Sequence, residues 1–367
     1  MNITKPTLLL DEKIAKRNIK RMVKKARASN VELKPHFKTH QSHIVGRWFR
    51  EEGVKAITVS SVSMAEYFAE DDWKFIMIAF PVNILEIDKI AALAANVELT
   101  LLVTDTKQVK ELLANVEIYV NILIEIDCGS RRSGLNPNDN DTIVELISLL
   151  KGTQHHFKGF YSHFGHTYGA SSNEEVLGIY NESLHTLTDL QLKYAYVKPT
   201  ISLGDTPSCS IVDDFTGLSS IHAGNFVFYD LTQAQIGSCK LDDIAIALGC
   251  PVVSKNDERQ EVIIYGGGVH LSKESMYDKE FDETIYGRVV RIDKDGWSAP
   301  LKDCYVRSIS QEHGVVKLSK QEFDKTMVGG VLGILPVHSC MTADVLGGYT
   351  LISGESVDHY KFTSVKN

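Results

Sequence analysis

The densest run of groups able to do chemistry is Lys34-Pro35-His36-Phe37-Lys38-Thr39-His40. A lysine seated among apolar and imidazole neighbours can lose its proton, because burial penalises the ammonium, and the neutral amine is then a nucleophile. Alone, Lys-x-x-x-Lys reads as an exposed basic turn. That reading weakens because further runs of matching character recur along the chain. Asp127-Cys128-Gly129-Ser130-Arg131-Arg132-Ser133-Gly134 frames a carboxylate and a guanidinium with glycines, as where backbone must approach a ligand closely. His163-Phe164-Gly165-His166-Thr167-Tyr168 adds imidazoles and a phenol. Gly204-Asp205-Thr206-Pro207-Ser208 and His222-Ala223-Gly224-Asn225 offer small residues, hydroxyls and backbone N–H groups, the surroundings that a phosphate needs. Pyridoxal phosphate is the cofactor that uses a lysine together with a phosphate cradle.

A second cluster is Pro336-Val337-His338-Ser339-Cys340-Met341-Thr342. In an extended segment His-x-Cys places both side chains on one face, within reach of one divalent metal. Imidazole with thiolate suits zinc, with manganese or magnesium as alternatives. Two ligands are too few for a closed structural site, so a metal here would keep open positions for substrate or water. The competing reading is a buried cysteine beside an ordinary histidine. Gln311-Glu312-His313-Gly314 is another polar turn, and Gly266-Gly267-Gly268 reads as a tight turn without the dinucleotide fingerprint.

These groups need a scaffold. Short β-branched runs at 32–36, 56–60, 75–80, 99–104, 122–127, 159–162, 200–203 and 220–228 read as strands. Helical stretches at 40–52, 63–70, 84–95, 139–150 and 173–192 lie between most of them. A helix over 11–28 comes first, its Ala15, Ile19, Met22, Val23 and Ala26 forming one apolar stripe. The alternation predicts an α/β fold, a (β/α)8 barrel, with a doubly wound sheet as competitor. In a barrel the polar runs above fall at the C-terminal ends of strands, where catalytic groups sit. Past about residue 240 long helical periodicity stops, and runs at 261–265, 287–292, 304–309, 314–318 and 331–335 read as strands. The expected division is a cofactor-binding barrel over 1–240 and a β-rich C-terminal domain over 241–367 that carries the metal ligands.

Length and charge fit this reading. At 367 residues, two domains or one barrel with an appendage are expected. With 43% hydrophobic and 23% charged residues, the composition excludes a disordered or fibrous chain. Lys+Arg 39 against Asp+Glu 47 gives −8, which leaves no basic field for nucleic acid or an anionic membrane. The apolar run near the start is too short for a signal peptide, and no stretch approaches a transmembrane span. The six cysteines lack framework spacing and read as reduced thiols in a cytoplasmic protein.

Taken together, residues 34–40, 127–134 and 336–342 make the sequence resemble the metal-activated pyridoxal phosphate enzymes of the alanine-racemase-like fold (fold type III), the D-serine dehydratase and D-threonine aldolase family. The resemblance implies that Lys38 carries pyridoxal phosphate, that Arg132 lies near its ring, and that His166 and Tyr168 line the pocket, with His166 a candidate acid–base group. It implies Gly204, Thr206, Gly224 and Asn225 around the phosphate, His338 and Cys340 on a divalent metal, and a homodimer. Two departures stand out: Tyr265 where relatives commonly have an acidic residue, and Asp205 in the phosphate loop, expected to turn outward because a carboxylate repels phosphate. The activity implied is removal of water and ammonia from a β-hydroxy D-amino acid to give a 2-oxo acid. Retro-aldol cleavage to glycine and an aldehyde is the alternative; Cys340 favours dehydration, since aldolase relatives tend to have a carboxylate there. A racemase, with Tyr265 as second base, would have no use for His338 and Cys340. A non-catalytic pyridoxal phosphate carrier would have no use for the β-rich domain.

Overall fold

The computed structural model describes residues 2–363, which divide into two compact units. One comprises residues 21–38 and 49–224; the other comprises residues up to 20, 39–48 and those from 225 onward. The first strand in the chain, β1 (Thr7–Leu10), belongs to the second unit.

The barrel is built from β2 (Glu32–Leu33), β3 (Ala56–Val59), β4 (Phe75–Pro81), β5 (Glu98–Val103), β6 (Asn121–Glu125), β7 (His156–Ser162), β8 (Thr200–Leu203) and β9 (Ser220–Ile221). All eight fall where the β-branched runs predict them. They pair in parallel in the order β2-β9-β8-β7-β6-β5-β4-β3. A parallel bridge between His36 and Thr58, with hydrogen bonds from Phe37 N to Thr58 O and from Thr58 N to Pro35 O, joins the two ends of the order. Strands β3 and β6 are buried at every position, which is why they read as continuous apolar runs rather than alternating ones. Gly159 lies inside β7, where the pairing with β6 shifts register. Its φ is +146°, and a Cβ would fall 2.0 Å from Thr200 O, so only glycine lets β7 and β8 approach there.

In chain order the helices are α1 (Glu12–Ala28), α2 (His43–Glu51), α3 (Val62–Glu70), α4 (Ile87–Ala94), α5 (Thr106–Asn115), α6 (Asn140–Leu150), α7 (Asn173–Lys193) and α8 (Thr206–Ile211). From α2 to α8 each follows the barrel strand of the same number. The predicted stripe of α1 is fully buried. Helix α5 was not among the predicted helices, although Asp105 and Gln108 form a capping box at its start.

The other unit is a β-rich domain. After α9 (Leu231–Ile236) come β10 (Ile246–Asn256), β11 (Glu261–Tyr265), the one-turn α10 (Gly268–Leu271), the hairpin β12 (Met276–Asp278) and β13 (Glu283–Ile285), and β14 (Gly287–Val290). A small hairpin, β15 (Ile292–Asp293) and β16 (Gly296–Trp297), leads to β17 (Tyr305–Ile309), β18 (His313–Lys317), α11 (Lys320–Lys325), β19 (Val331–Pro336), α12 (Ser339–Leu346), β20 (Tyr349–Leu351) and β21 (Ser356–Val357). The main sheet runs β11-β18-β17-β14-β19-β10-β1-β20-β21, and an added pairing of β10 with β11 closes six of these strands on themselves. Strand β1 lies between β10 and β20, antiparallel to the first and parallel to the second. Its sequence, a threonine and three leucines, shows no period. Among the described residues, no helix is long and apolar enough to cross a membrane.

Candidate active site

The predicted site residues fall into two clusters, each within one unit. In the barrel, Lys38 occupies the turn after β2. The preceding Phe37 is fully buried and meets Phe68 and Trp73 edge-on at centroid distances of 4.9 and 5.1 Å. Burying such a ring contributes on the order of 1.5–3 kcal/mol, with roughly 0.5–1.5 more for each aromatic contact. This anchor fixes the backbone from which Lys38 projects. The Lys38 side chain is itself exposed, so the desolvated setting expected for it is not found; it lies beyond the strand end, outside the packed layer. Lys34, two residues before His36 on the same segment, pairs instead with Glu32 at 3.1 Å.

Imidazoles surround this turn. His36 is buried, and burial, reinforced by Lys38, His163, His222 and Arg132, holds its pKa well below the usual range. His163, the first residue of the 163–168 run and given no separate role by the sequence, directly follows β7. Its Nδ1 donates to Gly204 O, and burial with Arg132 and Lys38 lowers its pKa to about 3. Both rings are therefore neutral beside two cations. His163 and Gly204 are 41 residues apart, so no local spacing marks this contact.

Gly204 admits no larger residue, because a Cβ would lie 2.6 Å from Tyr161 Oη. Tyr168 Oη accepts from Thr206 N at 3.3 Å, and its ring centroid lies 6.3 Å from that of His163. Tyr168, Thr206, Gly204 and His163 are thus brought together. The hydroxyl of Thr206 is buried without a hydrogen-bond partner among the described residues. A buried hydroxyl left this way costs free energy unless something satisfies it. A glycine close to an unsatisfied hydroxyl donor suits a phosphate group. Gly224 is buried one residue beyond Ala223, whose carbonyl accepts from His36 N.

Asp205 does not turn outward. It is 2% exposed and caps α8: Oδ2 accepts from Ser208 N at 2.7 Å and from Thr167 Oγ1 at 3.0 Å. The helix's need for a cap acceptor decides its direction. Burial raises its pKa from 3.8 to about 6, against the opposing hydrogen bonds from Ser208 and Thr167. The folded state therefore holds this proton more tightly than the unfolded chain. The associated stability is fully present below pH 3.8 and is lost as pH rises through about 6, a change of about 3 kcal/mol. Asp205→Asn, which keeps a capping oxygen, is expected to unfold at higher urea than the wild type at pH 8, with the gap closing below pH 4. Parallel pH profiles for the two proteins would contradict this.

Residues 127–134 form a loop closed by hydrogen bonds from Asp127 N to Leu135 O and from Leu135 N to Glu125 O. Asp127 Oδ1 accepts from Gly129 N and Arg131 N. At Gly134 φ is +102°, and a Cβ would lie 2.7 Å from Asp127 N, so glycine is needed to close the loop. Arg132 is exposed on it and acts electrostatically on His36 and His163. His166 faces the same loop: a Cβ on Gly129 would lie 3.3 Å from its Nε2. Its Nδ1 is buried without a partner among the described residues, and burial lowers its pKa despite Asp127 and Glu182.

The second cluster lies in the β-rich unit. The His-x-Cys segment is not extended: β19 ends at Pro336, His338 is the N-cap of α12, and Cys340 falls in its first turn. The first turn of the helix still brings the two side chains together in a hydrogen bond. Burial opposes the imidazolium of His338, but Cys340, with Asp230 and Glu274 adding, outweighs it and raises the pKa to about 9. Thr39 Oγ1 lies 3.3 Å and Asn225 Nδ2 3.4 Å from Cys340 Sγ. Among the described residues, no group of three or more His, Cys, Asp and Glu is placed to hold a metal. The donor set fits two-point ligation with open positions, not a closed structural site.

Tyr265 packs edge-on against His270, and Gly267 sits where a Cβ would lie 2.5 Å from Gln311 O. The glycine turn receives the 310–312 backbone and leads directly into α10.

A parallel barrel bearing a lysine turn, neutral histidines and a small-residue loop defines a class. Residues 10–216 match the family described as alanine racemase, N-terminal domain, and the chain belongs to it. Residues 245–352 match the putative serine dehydratase domain. The chain is 27% identical to D-serine dehydratase of Dictyostelium discoideum, over 97% of this chain and 95% of that one. It is 24% identical to D-threo-3-hydroxyaspartate dehydratase of Delftia sp. strain HT23, over 97% and 96%. An alanine-racemase-like protein of Idiomarina loihiensis superposes with a TM-score of 0.89 at 25% identity, covering 98% of this chain and 97% of that one.

Proposed function

We propose that the protein is a pyridoxal-phosphate- and divalent-metal-dependent lyase that dehydrates and deaminates a β-hydroxy D-amino acid. The observation that carries this reading is the contact between His338 and Cys340, a metal-ligating pair for which a racemase has no use. Both relatives described above, matched over nearly their full length, are named dehydratases.

In this reading Lys38 holds the cofactor through its amine and, once released from it, takes the α-proton on Nζ. Gly204, Thr206, Gly224 and Asn225 surround the phosphate, with the unsatisfied Thr206 hydroxyl as a donor. Arg132 lies beside the ring, and His166 and Tyr168 line the pocket. Neutral His36 and His163 place no further positive charge beside Lys38, which favours an amine able to accept a proton. Bound pyridoxal phosphate supplies an electron sink for the pair left on Cα. Bound to His338 and Cys340, zinc or another divalent ion supplies Lewis acidity toward the leaving hydroxyl. The α-hydrogen and β-hydroxyl leave as water, and water then hydrolyses the resulting enamine to a 2-oxo acid and ammonia. A homodimer and a cytoplasmic setting belong to the same proposal, the second in keeping with cysteines that form no disulfide among the described residues.

Incubated with D-serine, D-threonine and D-3-hydroxyaspartate, with and without zinc or manganese, the protein is expected to release ammonia from at least one. The L isomers should be inert. Conversion of a D-amino acid into its L isomer without ammonia would overturn the reading in favour of a racemase.

A further inference from the structure

Asp230 is 1% exposed, lies outside every motif singled out above, and touches the residue between the two metal-ligand candidates. Its Oδ2 accepts from Asn225 Nδ2 at 2.7 Å, from Ser339 N at 3.0 Å and from Ser339 Oγ at 3.2 Å. Its Oδ1 accepts from Gln233 N at 2.9 Å and caps α9. An ionised carboxylate only accepts, so it dictates the orientation of the donors around it. Asn225 must turn its nitrogen inward, and that nitrogen also reaches Ser339 Oγ at 3.0 Å and Cys340 Sγ at 3.4 Å. Asn225 Oδ1 is left buried without a partner among the described residues, so the amide is held entirely by its nitrogen side.

We infer that Asp230 is the positioning residue of the His338–Cys340 turn. It clamps Ser339 by backbone and side chain, and it aims an Asn225 N–H at the Cys340 sulfur. The inference rests on the reading that His338 and Cys340 hold a divalent metal. Outer partners of this kind orient a ligand and temper the charge it gives to the metal, and losing one typically costs about 10–100-fold in metal affinity. A residue that only capped α9 would change stability alone.

Cobalt(II) reports thiolate ligation through a sulfur-to-metal charge-transfer band, and zinc competition gives the affinity. Both are measured on the full chain as wild type, Asp230→Asn, Asn225→Ala and Cys340→Ala. The wild type should show the band and Cys340→Ala should lack it. Asp230→Asn should bind zinc roughly 10–100-fold more weakly, because an amide cannot accept from all its donors. Asn225→Ala leaves Asp230 and the α9 cap in place, yet should move the band to lower energy, since the thiolate loses an N–H donor. Wild-type affinity in folded Asp230→Asn, or an unmoved band in Asn225→Ala, overturns the inference while the metal reading stands. If Asp230→Asn does not fold, the Asn225→Ala band decides alone. No band in the wild type, or a band that persists in Cys340→Ala, overturns the metal reading and the inference together.

Discussion

Replacing Lys38 with alanine is expected to lower turnover by roughly 10³-fold or more on every substrate the wild type accepts. The amine has two tasks in the proposed chemistry, holding the cofactor and moving the α-proton, and no other lysine occupies the turn after β2. Binding should not vanish with activity. The Thr206 hydroxyl and the small-residue loop remain available to the phosphate, so Lys38→Ala should retain measurable affinity for pyridoxal phosphate. Borohydride reduction of the wild type, followed by peptide mapping, should place the label on the peptide containing Lys38. A label elsewhere, or near-normal turnover in Lys38→Ala, would show that this assignment is wrong.

The second large effect is expected at Cys340. Cys340→Ala, or chelation of the wild type, should abolish release of ammonia while leaving the melting transition nearly unchanged. An open two-ligand site contributes far less to folding than a closed four-ligand one. The metal's proposed target is the hydroxyl, so exchange of the α-proton with solvent should survive metal loss better than cleavage at Cβ. Deuterium incorporation followed by mass spectrometry separates the two steps. Equal loss of both, or full activity in metal-free protein, would contradict the assignment of His338 and Cys340.

Much of the scaffold is legible in the sequence for a physical reason. Barrel strands covered on both faces read as unbroken β-branched runs, and the helices between them carry a period of their own. What escapes is whatever depends on distant partners. Strand β1 is a threonine and three leucines whose identity as a strand comes from β10 and β20, more than two hundred residues away in sequence. Gly159 reads locally as the start of a strand, whereas it lies inside β7 and lets β8 approach closely. Helix α5, by contrast, carries a local mark, its own capping box.

The site divides in the same way. Lys38, the 127–134 loop and His-x-Cys are local patterns and could be named from spacing. His163 depends on Gly204, and Asp230 on Ser339, contacts across 41 and 109 residues. Asp205 differs again. Repulsion from a phosphate favours an outward carboxylate, but the α8 backbone needs a cap acceptor, and the cap decides its direction. His-x-Cys came together for a reason other than the one expected, through the first turn of a helix and not an extended face.

Dehydration and retro-aldol cleavage make the same demands on Lys38 and on a metal; they differ in which bond lies aligned with the electron sink when it breaks. D-threonine distinguishes them in one assay. With the metal-loaded wild type, 2-oxobutanoate and ammonia are the expected products, formed in equal amounts. Glycine and acetaldehyde would contradict dehydration and make the protein an aldolase.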